Sequence, residues 1–157
     1  MKPIQKWLDE YGESHQNPLN KKIHWVCVPA IMFSIIGLFW SIPHHYMPTL
    51  HDNIQLNWAM IITIIILTFY VRLSLMMALG MFVIGVFILI GNLLVESYFV
   101  TPLWTISLYI FFIAWIGQFI GHKIEGKKPS FFQDLQFLLI GPAWLLSFVY
   151  NKIGIKY

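Results

Sequence analysis

The chain has 157 residues, of which 58% are hydrophobic and only 11% are charged, and its mean hydropathy is +0.69. This composition excludes an ordinary water-soluble domain and indicates an integral membrane protein. The net charge of +3 comes from lysines beside apolar segments and not from a long basic run, so we expect lipid headgroups and no nucleic acid as partners. The single cysteine, Cys27, excludes an intrachain disulfide framework and a thiolate metal cluster.

The chain begins with a segment, residues 3–14, whose apolar side chains repeat at helical spacing after a proline. We predict a short helix at the membrane interface there, followed by a polar loop. Four uncharged runs then have about the length needed to cross a membrane: residues 23–42, 54–71, 73–95 and 103–121. A fifth apolar run, residues 135–151, is short and contains Gly141-Pro142, which predicts a broken or re-entrant segment that does not cross.

The distribution of basic residues predicts the topology. With four crossings, all ten lysine and arginine residues fall on one side of the membrane, and the two loops on the other side contain none. The amino terminus is then cytoplasmic, and a fifth crossing would place Lys152 and Lys156 on the side without basic residues. We therefore predict a single membrane domain, residues 1–157: an all-α bundle of four spans with an interfacial helix and a broken or re-entrant fifth segment.

A polar stripe marks the end of the fourth run. Gln118, His122 and Glu125 are spaced i, i+4 and i+7, so a helix places them on one face of an otherwise apolar surface. Polar groups are costly in hydrocarbon unless they face the bundle interior or bind something, which makes this stripe a candidate functional site. The predicted topology brings it to the same cytoplasmic depth as a second polar group, made of His15, Asn20 and His24.

Three histidines from distant segments, His15, His24 and His122, could bind one metal ion, since imidazole is a common ligand of iron, zinc and copper. The spacing contains no compact metal signature, and hydrogen-bonded histidines at the interface are an equally good interpretation. The remaining histidines lie in the loop on the opposite side, where we expect exposed side chains without a role at the site; they are His44, His45 and His51.

Several neighbouring polar residues have more than one interpretation. Gln118 could be catalytic or could form a hydrogen bond between packed helices. Glu125 could bind the metal, orient His122, or pair with a surface lysine, and we favour the orienting role. Lys127 and Lys128 could reach lipid headgroups or bind the carboxylate of an acyl substrate.

The motifs around these residues resemble a known family. Two motifs carry the resemblance: Tyr11-x-x-x-His15 with Asn17-Pro18-x-Asn20-x-x-x-His24-x-x-x-x-Pro29, and Trp115-x-x-Gln118-x-x-Gly121-His122 with Glu125 and Pro129. Together they are similar to the motifs of the membrane 2-hydroxy fatty acid dioxygenases. The resemblance covers most of the chain, including Gly141-Pro142.

The resemblance implies an Fe(2+)-dependent α-oxidation, in which a long-chain 2-hydroxy fatty acid and O2 give the fatty acid shortened by one carbon and carbon dioxide. It implies a metal site at the cytoplasmic side formed by His15, His24 and His122. Gln118, Asn20 and Glu125 would be the other residues of the catalytic site, and Lys127 and Lys128 would bind the substrate carboxylate. Two other functions fit the residues alone: a non-enzymatic lipid-binding or scaffold protein, and a zinc-dependent lipid hydrolase.

Overall fold

The computed structural model describes residues 4–51, 54–126 and 137–157, and in these ranges the chain forms six helices and one small hairpin. The helices are α1 Ile4–Gly12, α2 Pro18–Trp40, α3 Trp58–Leu73, α4 Leu75–Tyr98, α5 Leu103–Glu125 and α6 Ile140–Ile153. The strands β1 Thr49–His51 and β2 Ile54–Gln55 pair antiparallel in the loop before α3. The predicted all-helical class is confirmed, and the hairpin is a short addition that the turn-rich loop sequence did not indicate.

Among the described residues, three helices are long and apolar enough to cross a membrane: α2, α4 and α5, with 23, 24 and 23 residues. The remaining predicted span is shorter, because α3 has only 16 residues, or about 24 Å at a rise of about 1.5 Å per residue. Its apolar run starts at residue 54, but the first residues form β2. The helix begins only after Asn57, whose side-chain oxygen accepts the Met60 N–H at 3.1 Å.

The segment around Gly141-Pro142 differs from the prediction. Residues 140–153 form one continuous helix, α6, so the break predicted there is a helix start. Pro142 lies in the first turn, where a helix needs no backbone N–H from it. Tyr70 and Tyr150 anchor this helix, because their hydroxyls donate to the carbonyls of Leu139 at 2.5 Å and Met76 at 2.7 Å.

The first helix packs on the last one. Ile4, Leu8 and Tyr11 form the buried face of α1 and share one apolar cluster with Ala143 and Trp144 of α6. The apolar face of α1 thus covers another helix of the bundle. That α1 lies at the membrane interface, with its polar face towards the water, stays a prediction.

The closest helix pair that positions the site is α2 with α5, which make the most extensive contact between described elements. Small residues allow this approach. A Cβ atom at Gly117 would lie 2.6 Å from the Cys27 sulfur, and one at Gly121 would overlap the side chain of Asn20. Only glycine at these positions lets the two backbones come this close.

The packing at the far end of the bundle bears on how many helices cross. Trp40 at the end of α2, Ala59 at the start of α3, Ile88 of α4 and Leu103 at the start of α5 share one cluster. Helix α3 therefore starts, and α4 ends, at this same end. If α4 crosses the membrane, α3 must cross it too in spite of its length.

We expect four crossings to be visible in cysteine-labelling experiments on sealed vesicles. Single cysteines replacing Glu13, Tyr46, Val100 and Lys152, all exposed, would be introduced after Cys27→Ser. A membrane-impermeant maleimide should reach positions 46 and 100 from one side and positions 13 and 152 from the other. Labelling of positions 46 and 100 from different sides would show that α3 and α4 do not both cross.

Candidate metal centre

Three buried histidines from three segments converge at one end of the α2–α5 pair. His15 lies in the loop after α1, His24 in the second turn of α2, and His122 in the last turn of α5. Their exposed fractions are 2%, 0% and 6%. One ligand nitrogen from each ring lies within 4.8 Å of the others, so the predicted convergence is present in the structure.

The hydrogen bonds of two of these rings determine which nitrogen carries the proton. His15 Nδ1 lies 2.6 Å from the Tyr11 carbonyl oxygen, and His24 Nδ1 lies 3.0 Å from the Asn20 carbonyl oxygen. A carbonyl oxygen can only accept, so both Nδ1 atoms donate and both Nε2 atoms carry lone pairs. Those Nε2 atoms face each other at 2.9 Å.

Two lone pairs at that distance repel each other unless a cation lies at the centre of the group. A histidine that binds metal through one nitrogen and donates the other N–H to a backbone carbonyl is the usual arrangement in metal sites. The residues present therefore fit a metal ion, and three imidazoles suit iron, zinc or copper alike.

The environment keeps the loop histidine neutral. Burial, and then the neighbouring His24, lower the pKa of His15 from 6.5 to about 4 against the opposing effect of its hydrogen bond to Tyr11. A metal ligand must be unprotonated, so His15 is in the ligand form at neutral pH.

Aromatic rings hold His15 in place. The Tyr11 ring is stacked on the imidazole with a centroid distance of 4.1 Å and an interplanar angle of 11°, and the Trp144 ring lies 5.3 Å away. Tyr11 stands four residues before His15, so α1 carries both the ring that stacks and the carbonyl that accepts from Nδ1. The motif contained this spacing, but the contact with Trp144 of α6 could not be inferred from it.

Glu125 contacts the loop that carries His15 and points its carboxylate at backbone N–H groups. Oε1 accepts the Gln16 N–H at 2.7 Å, and Oε2 accepts the Asn17 N–H at 2.9 Å and the Asn20 side-chain amide at 2.9 Å. Among the described residues, the carboxylates contribute no ligand atom to the histidine group. Glu125 therefore binds the loop that carries His15, whereas the predicted role of orienting His122 stays a prediction.

The other predicted residues lie at different distances from the centre. Asn20 is fully buried and links Glu125 to the Ser14 carbonyl. Gln118, 8% exposed, stands one turn before His122 and lines a cavity of about 30 Å³. Lys127 and Lys128 lie outside the described residues.

The histidines of the opposite loop are not near this centre. His45 is exposed, whereas His44 is half-buried and differs in this from the expectation; it lines a cavity of about 410 Å³ beside Trp40 and Glu96. His51 belongs to β1 in the same loop. In the part of the chain that the structure describes, no second group of three potential metal ligands is found.

Comparisons with known proteins give a consistent result. The sequence model of a family described as "2-hydroxy-palmitic acid dioxygenase Mpo1-like" matches residues 1–153. The 2-hydroxy-palmitic acid dioxygenase MPO1 of Saccharomyces cerevisiae (strain ATCC 204508 / S288c) is 28% identical over 153 residues, which cover 96% of this chain and 82% of that protein. No solved structure matches the chain.

We expect the purified protein to bind one divalent metal ion through the three histidines. Replacing His15, His24 or His122 by alanine should lower the affinity for Co²⁺, measured by its visible absorption, by at least about 100-fold, the upper end of the effect of a lost second-shell partner. His45→Ala is the matched control and should bind as the unsubstituted protein does. Unchanged Co²⁺ binding in all three variants would contradict a histidine site.

The same site predicts a pH dependence of stability. His15 takes up a proton near pH 6.5 when unfolded but only near pH 4 when folded, so the unfolded state binds more protons between these values. In the metal-free protein, the contribution of His15 to the free energy of unfolding should be constant above pH 6.5. It should fall as the pH decreases from 6.5 towards 4. His15→Gln should reduce that slope in an acid titration followed by thermal unfolding.

We also expect Glu125 to act through the loop. Glu125→Ala removes the acceptor of the Gln16 and Asn17 N–H groups, so their amide hydrogen exchange should accelerate and Co²⁺ affinity should fall by about 10- to 100-fold. Glu125→Gln keeps one acceptor oxygen and should recover part of the affinity, and Asp9→Ala, at an exposed carboxylate, is the control. Lost affinity with unchanged amide exchange would argue instead for a direct role of Glu125 at the metal.

Proposed function

The chain belongs to the Mpo1-like family, and from that premise we propose that it is an iron(II)-dependent dioxygenase that shortens 2-hydroxy fatty acids by one carbon. The observation that carries the proposal is the buried group of three imidazoles, each with one ring nitrogen within 4.8 Å of the others, in which the Nε2 atoms of His15 and His24 face each other. The named activity of the yeast relative, 28% identical to this chain, supports the same class of reaction.

The reaction converts a 2-hydroxy fatty acid and O2 into the shorter acid, carbon dioxide and water. The bond between C1 and C2 breaks, C1 leaves as carbon dioxide, and C2 is oxidised from the alcohol to the new carboxyl group. These changes remove four electrons from the substrate, and one O2 accepts all four. Iron(II) held by His15, His24 and His122 would supply the one-electron chemistry through which O2 reacts with such a substrate.

The protein's own residues would bind and orient the substrate. The Gln118 amide is buried one turn from His122, where it can hydrogen-bond the 2-hydroxyl or the carboxylate of an acid at the centre. The rings of Tyr11 and Trp144 cover His15 and exclude water from that side. Lys127 and Lys128 follow α5 directly in the sequence, and we assign them to the charge of the substrate carboxylate.

The side of the membrane follows from the distribution of charge. Because every lysine and arginine falls on one side in a four-span topology, we place the amino terminus and the histidine site on the cytoplasmic side. A fatty acid could then reach the centre from the bilayer with its carboxylate at the membrane surface.

We expect anaerobically purified protein loaded with Fe²⁺ to consume O2 when 2-hydroxypalmitic acid is added. Carbon dioxide and the acid one carbon shorter should appear in a one-to-one ratio with the O2 consumed. His122→Ala should lose both bound iron and activity down to the rate without enzyme, whereas His45→Ala should retain both.

Other results would favour other functions. Release of fatty acid from an ester lipid by the zinc-loaded protein, without oxygen uptake, would indicate a hydrolase. A protein that binds the acid but does not turn it over with iron, zinc or copper would be a lipid-binding protein.

A further inference from the structure

A small cavity lies near the triad formed by His15, His24 and His122: each histidine is four residues along the chain from a residue that lines it, which is one helical turn for His24 in α2 and His122 in α5. Tyr11 precedes His15 by four residues, Val28 follows His24 by four, and Gln118 precedes His122 by four; all three line the cavity of about 30 Å³. Residues four apart lie on the same face of a helix, so Val28 shares a face of α2 with His24 and Gln118 shares a face of α5 with His122. The cavity therefore adjoins the metal centre, and Gln118 and Tyr11 give it polar groups on that side.

A second cavity of about 40 Å³ continues along α2. Met32, Ile35 and Ile36 line it one turn further from His24, together with Ile66 of α3 and residues 138–139. All its described lining side chains are apolar. Leu138 borders both cavities.

We propose that these two cavities mark the path of the substrate's acyl tail along α2, a step that rests on the proposed function. The tail runs from the triad past Val28 and Ile31 to Ile35 and Ile36, and Leu138 moves aside to admit it. From His24 to Ile36 the helix rises about 18 Å, at about 1.5 Å per residue, which suits a long chain. The two cavities are small, so the tail must part α2 from residues 137–139 when it binds.

The sequence of polarity along this path matches a 2-hydroxy acid. The imidazoles and Gln118 lie at the head, and the lining beyond Ile31 is apolar, as the two ends of the molecule require. The larger cavity of about 410 Å³ lies at the other end of α2, beside Trp40, and its rim carries Gln55, Asn57 and Glu96. If the carboxylate of the acid is held at the triad, the methyl end of an acyl tail in the larger cavity would lie against those polar groups. The larger cavity is therefore a less suitable site for the tail than the two small ones.

Photolabelling tests the path without depending on turnover. Two analogues of 2-hydroxypalmitic acid, with a diazirine near the carboxylate or near the methyl end, would be illuminated with the full-length protein in detergent, and the labelled residues identified by mass spectrometry. The first analogue should label the level of Val28 and Ile31, and the second the level of Met32 to Ile36 and residues 138–139. Excess unlabelled 2-hydroxypalmitic acid should suppress both patterns.

Two results would overturn the proposal. Methyl-end labelling beside Trp40 and Leu93 would place the tail in the larger cavity. Labelling of lipid-facing side chains that is insensitive to competitor, or that does not move with the position of the diazirine, would show that the tail has no defined path.

Chain-length selectivity gives a second readout. Ile35→Trp fills the second cavity, so kcat/KM should fall at least about tenfold for a long acid relative to an acid that ends before Ile35. Ile113→Trp is the matched control. It makes the same change in α5 at a side chain that is 69% exposed, nine residues before His122, whereas Ile35 lies eleven residues after His24. Its selectivity should equal that of the unsubstituted protein, and Co²⁺ binding by each variant would verify an intact site.

The outcomes separate the two proposals. Oxygen uptake with an unchanged chain-length profile in a folded Ile35→Trp variant would contradict the tail path and leave the dioxygenase function standing. Ordered, competable labelling in a protein that consumes no O2 would contradict the dioxygenase function and leave the path standing. Should Ile35→Trp fail to fold, Ile35→Ala should improve turnover of longer acids, and an unchanged profile there would count against the path.

Discussion

The site depends on the close approach of α2 and α5. Gly117 and Gly121 remove the side chains that would otherwise separate the two helices, and their contacts are Cys27 and Asn20. A Cβ atom at Gly121 would overlap the Asn20 amide, and that amide also donates to Glu125. One small residue therefore controls both the separation of the helices that carry His24 and His122 and the hydrogen bonds that hold the loop of His15. Leucine is as compatible with lipid as with another helix, so such packing and polar contacts decide where membrane helices meet.

The third histidine has no helix to hold it, and the chain positions it by other means. Glu125 accepts hydrogen bonds from the backbone of residues 16 and 17, more than one hundred positions away in the sequence, and Tyr11 stacks on the imidazole. These contacts hold two Nε2 lone pairs face to face at 2.9 Å. Burial of such an arrangement is unfavourable without a cation, so the three imidazoles form a candidate site that is already positioned to hold a metal ion.

Local pattern predicted the members of this site, and long-range packing determines what they contact. Gln118 and His122 followed from helical spacing and are both buried, and the convergence with His24 followed from the placement of lysines on one side. The partners of Glu125 did not follow, because they are N–H groups in a loop whose path depends on α1 and α6. The start of α3 was missed for a related reason: the uncharged residues 54 and 55 are as suitable for a strand as for a helix, and only the pairing with β1 decides between them.

Contacts at the far end of the α2–α5 pair fix the position of α2 along its neighbouring helices. There Gly37 faces Ser107 of α5 and Asn92 of α4, and the Asn92 amide donates to the carbonyls of Phe33 at 3.3 Å and Ile88 at 2.9 Å. The Asn92 side chain is fully buried, so sliding α2 along α4 would remove its hydrogen bond to Phe33. A slip of one helical turn, about 5.4 Å, exceeds the 4.8 Å within which the ligand nitrogens lie. A polar contact at the opposite end of the bundle is therefore part of what keeps the three histidines within reach of one another.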